Sequence, residues 1–333
     1  MGPEDLAQVL GRLEMGGEAA GAEVLVSADT ADDAAVIRLP GGGCLVQTVD
    51  FFTPIVDDPV DWGRVAAANA LSDVYAMGAR PAFALNIAGW PRDEIPVDVL
   101  AEVLRGGIEL AKQEAVAVVG GHTIDAPEPT YGMAVTGFVA EEDLVRNSTA
   151  APGAMLVLTK PLGIGILTTA IKRGSATEED VQRVVALMTT TNRAASEAMV
   201  EVGVQAATDV TGFGLLGHLR EMTAASGVAA QIDAGAVPLL ARARELATAE
   251  VVPGGTRRNH SFLRNRVDWG DLDSVEQLVL ADAQTSGGLL VAVEEDRVGA
   301  FLEALSARSV EGAVIGRATD SEPGHIAVRG RLS

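Results

Sequence analysis

The alternation of apolar and polar positions divides the chain into segments before any chemistry is considered. Residues 4–14 (EDLAQVLGRLE) put Leu6, Val9, Leu10 and Leu13 on one helical face, and a glycine-rich stretch from Gly16 to Gly21 follows. Two β-type runs, 34–39 (AAVIRL) and 44–49 (CLVQTV), flank Pro40-Gly41-Gly42-Gly43 and predict a hairpin. Residues 61–78 predict an Ala-rich helix that stops at Gly78. A strand is expected over 83–90, a helix over 99–114 despite its two glycines, and strands over 116–121 and 131–139.

A second half opens near Ala151-Pro152-Gly153. Residues 155–165 (MLVLTKPLGIG) predict a strand running into a glycine turn, and 178–202 one or two helices. Residues 206–222 (AATDVTGFGLLGHLREM) predict strand, turn and helix; a strand at 287–293, a helix at 295–306 and a strand at 310–318 complete the pattern. Strands and helices mix without strict βαβ alternation, which favours an α+β fold over a doubly wound sheet. The length of 333 residues suits two domains, divided here as 1–152 and 153–333.

Composition narrows the function classes. The formal net charge of −21 argues against nucleic acid, whose phosphates need Lys and Arg. No apolar run approaches the roughly 18 residues of a membrane span. The N-terminus has no basic region of the kind a signal peptide carries. A single Cys, Cys44, excludes an intramolecular disulfide and fits a cytoplasmic protein. Any nucleotide bound by so acidic a chain would need cations between carboxylate and phosphate.

The aspartates give the sharpest chemical signal. From Asp29 to Asp73 there are eight Asp and no Glu, a bias towards short, stiff carboxylates. Asp32 and Asp33 open the AAVI run and Asp50 closes CLVQTV, where either a ligand or an ordinary turn would use them. Asp73 lies on the apolar 61–78 helix, four residues after Asn69 and on its face. It is either on an exposed stripe or buried with a partner, for which Mg²⁺ and an Arg such as Arg64 both serve.

Other positions carry weaker signals. Gly120-Gly121-His122-Thr123 follows an apolar run, where a glycine pair allows phosphate approach or simply turns the chain. Asp209 precedes Gly212, Gly214 and Gly217, which spell G-x-G-x-x-G. A Rossmann site is rejected because no βαβ unit surrounds the motif and an Asp stands where pyrophosphate would approach. These glycines are expected to shape a turn and let the following helix pack closely. Lys160 and the Arg257-Arg258-Asn259 cluster are candidate phosphate contacts or solvated groups. Cys44 reads as a small core residue, and the four His show no zinc spacing.

Taken together, the segments DDAAV (32–36), TVDFFTPIVDDP (48–59), NALSDVYAMGARP (69–81), GGHTIDAPEP (120–129), LTKPLGIGILTTA (158–170), ATDVTGFGLLGHL (207–219), PGGTRRN (253–259) and QTSGGLL (284–290) resemble the selenophosphate synthetase (selenide, water dikinase) family. They follow the family's order from about residue 3 to the end. The resemblance implies a two-domain, aminoimidazole ribonucleotide synthetase-like (PurM-like) α+β fold in a homodimer, with an ATP- and Mg-binding N-terminal domain. It implies Mg²⁺ ligands at Asp33, Asp73 and Asp209. Thr30, Ala31, Asp32, Asp50, Asp73, Gly121, His122 and Thr123 would line the nucleotide. The implied reaction converts ATP, selenide and water to selenophosphate, AMP and phosphate, and a selenium-delivering lyase is an implied partner.

Two departures qualify the match. The family carries a Cys or selenocysteine, and shortly after it a Lys, in a glycine-rich segment expected just upstream of Met1. Here no Cys precedes Cys44 and no Lys precedes Lys112. Two expectations follow, that this segment was cut away or that a selenocysteine codon was read as a stop; on either account this chain alone is expected to be inactive or impaired. Ala283 stands where the family usually has Pro before QTSGG. Competing expectations are another ATP-using member of the superfamily and a non-catalytic ATP-binding regulatory paralogue.

Overall fold

The computed structural model describes residues 22–28 and 31–332. The 4–14 helix, the Gly16–Gly21 stretch and Thr30 lie outside the described residues. The first half builds a six-stranded sheet in the order β1-β2-β3-β6-β4-β5. Its strands are β1 (Glu23–Val26), β2 (Ala35–Arg38), β3 (Cys44–Phe52), β4 (Arg80–Trp90), β5 (Ala117–Asp125) and β6 (Thr130–Val139). The expected hairpin is present as the antiparallel pair β2–β3, with Val36 opposite Val46.

Helices α1 (Pro59–Ala76) and α2 (Val97–Gln113) pack on one face of this sheet and against each other. Asp58 caps α1 by accepting from the Asp61 N–H at 2.9 Å, and Pro59 follows as its first residue, a sound start for a helix. The glycines of α2 have a packing reason. A Cβ on Gly106 would sit 2.0 Å from Val60 O, and one on Gly63 would sit 2.0 Å from Val103 O. The two helix backbones therefore approach where side chains are absent on both, which outweighs the helix cost of glycine, about 1 kcal/mol each.

The second half builds a seven-stranded sheet in the order β10-β13-β9-β12-β7-β11-β8. Its strands are β7 (Met155–Leu158), β8 (Ala206–Asp209), β9 (Ala229–Asp233), β10 (Val267–Asp268), β11 (Leu289–Val293), β12 (Ala313–Thr319) and β13 (Ile326–Arg329). The helices are α3 (Ile164–Lys172), α4 (Glu178–Thr189), α5 (Arg193–Val202), α6 (Gly214–Ser226), α7 (Ala243–Thr248), α8 (Gly254–Leu263), α9 (Ser274–Leu280) and α10 (Val298–Ala307). The expected glycine turn after β7 is instead the start of α3, entered through Gly163 at φ 117°. α1 also packs on β8 and α4, so one Ala-rich helix touches both sheets. None of the described helices is long and apolar enough to cross a membrane.

Candidate active site

β3 alternates strictly. Cys44 and Val46 are buried towards α1, while Val49 and Phe51 point to the exposed face. Continuing the inward row brings Thr48 and Asp50 opposite α1. There the Thr48 hydroxyl donates to Asp73 Oδ2, and Asn69 Nδ2 donates to Asp50 Oδ2. Asn69 and Asp73 do share a face, as their spacing requires. Arg64 is not the partner of Asp73: its guanidinium reaches Asp61 and Glu109 instead.

The second domain closes on the same end of α1. Ser286 N–H donates to Asn69 Oδ1 at 2.7 Å. Thr208 Oγ1 donates to Asp33 Oδ1 at 2.7 Å. Asp32 accepts from the Asn147 N–H at 3.1 Å. Asp209, at the end of β8, is 1% exposed and accepts from Ser72. Ser72 is itself held by Asn192 Nδ2 at 2.8 Å. Five candidate residues, Asp32, Asp33, Asp50, Asp73 and Asp209, thus gather around α1 from both domains. Ala31 lies at their edge, exposed and at φ 49°.

Burial and mutual repulsion push these carboxyls up. Asp32 and Asp50 are each raised to about 6, chiefly by burial. Asp33 and Asp73 rise well above the carboxylate range through burial and then the charge of Asp209. Asp209 rises through burial, against the pull of His218 and Lys160. Asp33 Oδ2 and Asp209 Oδ2 are buried and have no hydrogen-bond partner among the described residues. Such atoms are costly unless a cation or donor meets them.

The donor set fits a hard divalent cation. It consists of carboxylate oxygens, two of them unsatisfied. No three His, Cys, Asp or Glu side chains among the described residues are placed to hold one ion by themselves. That is compatible with Mg²⁺, which usually takes one or two carboxylates and completes its shell with phosphate oxygens and water.

Beside the cluster lies a cavity of about 300 Å³ between the domains, lined by Asp50, Phe52, Asn69, Thr211, Phe213 and His218 among others. Gly214 makes the turn at its wall, at φ 71°, where a Cβ would meet Asp282 O at 2.6 Å. Of the G-x-G-x-x-G glycines, Gly214 thus serves the turn and a close approach, a Cβ on Gly217 would sit 2.7 Å from Phe213 Cβ, and one on Gly212 would meet nothing within 4 Å.

Other candidates fall elsewhere. Lys160 is 6% exposed and donates to Thr190 O at 2.6 Å and Ser286 O at 2.8 Å, so it is not a solvent-facing phosphate contact. Burial lowers it to about 7, opposed by Asp209. Arg257 pairs with Glu250, and Asn259 Nδ2 donates to Gly212 O at 2.9 Å. Cys44 is buried and free. Gly121, His122 and Thr123 sit on the edge strand β5 and are all exposed. His122 is paired with Ile87 and lies on the sheet face opposite Asp50, three strands from β3. The hydroxyls of Thr48, Ser72 and Thr208 were not legible in the sequence as site residues. Only the adjacency of Thr208 to Asp209 hinted at one of them.

Comparison with known proteins places this geometry in a lineage. Residues 31–139 match the family AIR synthase related protein, N-terminal domain, and residues 151–329 its C-terminal domain. The chain is 50% identical over 323 residues to "Selenide, water dikinase" of Myxococcus xanthus (strain DK1622), covering 96% of this chain and 91% of that protein. It is 47% identical over 330 residues to the protein of the same name from Carboxydothermus hydrogenoformans (strain ATCC BAA-161 / DSM 6008 / Z-2901), covering 99% and 94%. The fold is shared with thiamine-monophosphate kinase from Stenotrophomonas maltophilia K279a, at a TM-score of 0.68 and 23% identity over 93% of this chain and 92% of that one. It is also shared with E. coli HypE, at a TM-score of 0.70 and 20% identity over 87% and 83%. The two-domain α+β architecture is therefore that of the AIR synthase related proteins, and within them the chain belongs to the selenide, water dikinase family.

Proposed function

We propose that this protein makes selenophosphate from selenide, ATP and water, releasing AMP and phosphate. The observation that carries the reading is the gathering of Asp33, Asp73 and Asp209 from two domains, with buried carboxylate oxygens left unsatisfied, in a chain of this family. Asp33, Asp73 and Asp209 would hold Mg²⁺, and Thr30, Ala31, Asp32 and Asp50 would border the nucleotide. Bound Mg²⁺ supplies charge neutralisation to the phosphates. The protein's own share is positioning. Thr48, Ser72 and Thr208 orient the carboxylates, and Asn69 ties the domains across the site. The test is anaerobic phosphorus NMR of Mg-ATP with selenide, on this chain and on a form extended upstream through the family's Cys- and Lys-bearing segment. Selenophosphate and AMP in equal amounts are expected from the extended form alone; ATP left intact by both forms overturns the reading.

The working unit is proposed to be a cytoplasmic homodimer joined through the outward face of the first sheet. That face exposes Val49 (56%), Phe51 (52%) and Leu85 (42%), neighbours by strand register. A contiguous apolar patch of this kind favours a protein contact. His122 projects from the same face, so a partner subunit seated there would lie beside it. Sedimentation velocity should give a dimer for the native chain and a monomer for Phe51→Asp. A monomeric native chain would remove this support.

A further inference from the structure

His218 is used by nothing described so far, yet it is the most organised titratable group in the interdomain cavity. It lies on α6, one turn before Glu221, and its Nδ1 stands 3.3 Å from Glu221 Oε2. That contact holds the Nδ1 proton and leaves Nε2 as the basic nitrogen. Nε2 lies 3.2 Å from Thr211 Oγ1. The ring is stacked on Phe213 at 5.5 Å and 28°, which fixes its plane. The residue is 9% exposed, and Thr211, Phe213 and His218 line the same cavity as Asp50 and Asn69. Carboxylate, imidazole and hydroxyl in that sequence are the arrangement in which an imidazole takes a hydroxyl's proton.

We infer that Glu221, His218 and Thr211 form the proton-accepting relay for the water consumed in the reaction. The inference rests on the selenophosphate reading, whose stoichiometry requires two anhydride bonds of ATP to break, one through selenide and one through water. In the water step the water oxygen forms a bond to the phosphorus that departs as phosphate. The bond from that phosphorus to the leaving phosphate oxygen breaks, and the leaving group keeps the electron pair. The water's proton passes to Thr211 Oγ1 as the Thr211 proton passes to His218 Nε2, and Glu221 stabilises the imidazolium. The proton returns to solvent when products leave. Burial by itself would lower the imidazole's affinity for a proton, but the hydrogen bond and charge of Glu221, with Asp209 further off, raise it above the ordinary histidine value.

The experiment uses whichever form makes selenophosphate in the NMR assay. His218→Ala should lower AMP and phosphate formation by about 10²–10⁴-fold with Mg-ATP affinity unchanged, and added imidazole should restore part of the rate. Thr211→Val should lower the same step while binding Mg-ATP normally. His218→Phe keeps a flat ring against Phe213 without a base and should be as impaired as His218→Ala. AMP formation at the native rate in His218→Phe would overturn the inference and leave the ring a packing role. A His218→Ala enzyme whose lost rate tracks lost Mg-ATP affinity, with no response to imidazole, would overturn it as well. If the native protein makes no selenophosphate, the functional reading falls first and takes the relay with it. If it does and the variants match it, only the relay falls.

Discussion

Two buried acidic places in this molecule differ in what surrounds them. Asp282 is 0% exposed, and both its oxygens are satisfied: Thr256 Oγ1 donates at 2.7 Å, Gln284 Nε2 at 3.0 Å and the Ile166 N–H at 3.3 Å. It ties the start of α3 to α8 and to the loop before β11. Asp209 is equally deep, yet it meets Asp33, Asp50 and Asp73, and one oxygen each of Asp33 and Asp209 has no donor. Burial raises the carboxyls in both places. Only the Asp282 site answers that cost at both carboxylate oxygens; in the other, Asp33 and Asp209 each keep one oxygen without a donor. An acid whose neighbours are donors is part of the framework. Acids whose neighbours are acids are arranged for something that arrives.

The contrast can be broken most directly at Asp209. Asp209→Asn should weaken Mg-ATP binding at least about 100-fold, since loss of a ligand should exceed the loss of a residue that merely orients one. The metal-free variant should melt no lower than the native protein, because a poorly compensated charge has gone. Calorimetry and thermal melting read both. Asp73→Asn should behave alike, and unchanged nucleotide affinity in both variants would sink the metal assignment.

Asp282→Ala should do the reverse. It leaves Thr256, Gln284 and the Ile166 N–H without their acceptor and should cost about 2 kcal/mol of stability. The folded fraction should bind Mg-ATP as before, and denaturant titration with calorimetry checks the separation. A loss of nucleotide affinity without a loss of stability would make Asp282 part of the site instead.

A further effect is in pH. Asp282 is pushed up to about 7, by burial foremost, with Thr256, Ile166 and Gln284 pulling the other way. A carboxyl whose folded value is raised binds its proton more tightly folded than unfolded. Its contribution is fully present below about 4, the unfolded value, and is lost as pH rises through about 7. The stability advantage of the native protein over Asp282→Asn should therefore shrink across that window. An advantage that grows with pH would show that the carboxylate, not the acid, is the form the framework prefers.

Much of the fold was legible because its longer elements carry unambiguous periodicity. The Ala-rich helix, the hairpin around Gly41 to Gly43 and the alternation of β3 stand close to where the sequence puts them. Residues 223–286 yielded no elements in advance. Their helices α7 and α9 span six and seven residues, too short for a helical period to show, and β10 spans two. α3 was hidden by Gly163 and Gly165, whose turn chemistry masks a helix start.

The candidate site divides in the same way. The Asp bias and the pairing of Asn69 with Asp73 on one helical face are properties of composition and spacing, so the sequence determined them. Which acids share a place was decided by tertiary structure. Asp33 meets Thr208, and Asn69 meets Ser286, across separations of 175 and 217 residues. No local period records such contacts. Lys160 shows the reverse: its sequence neighbourhood allows a phosphate contact or a solvated group, but the fold turns it inward onto two carbonyls. Periodicity reports which face of an element is buried. What meets that face depends on how two sheets close around one helix, and only the packed structure contains that information.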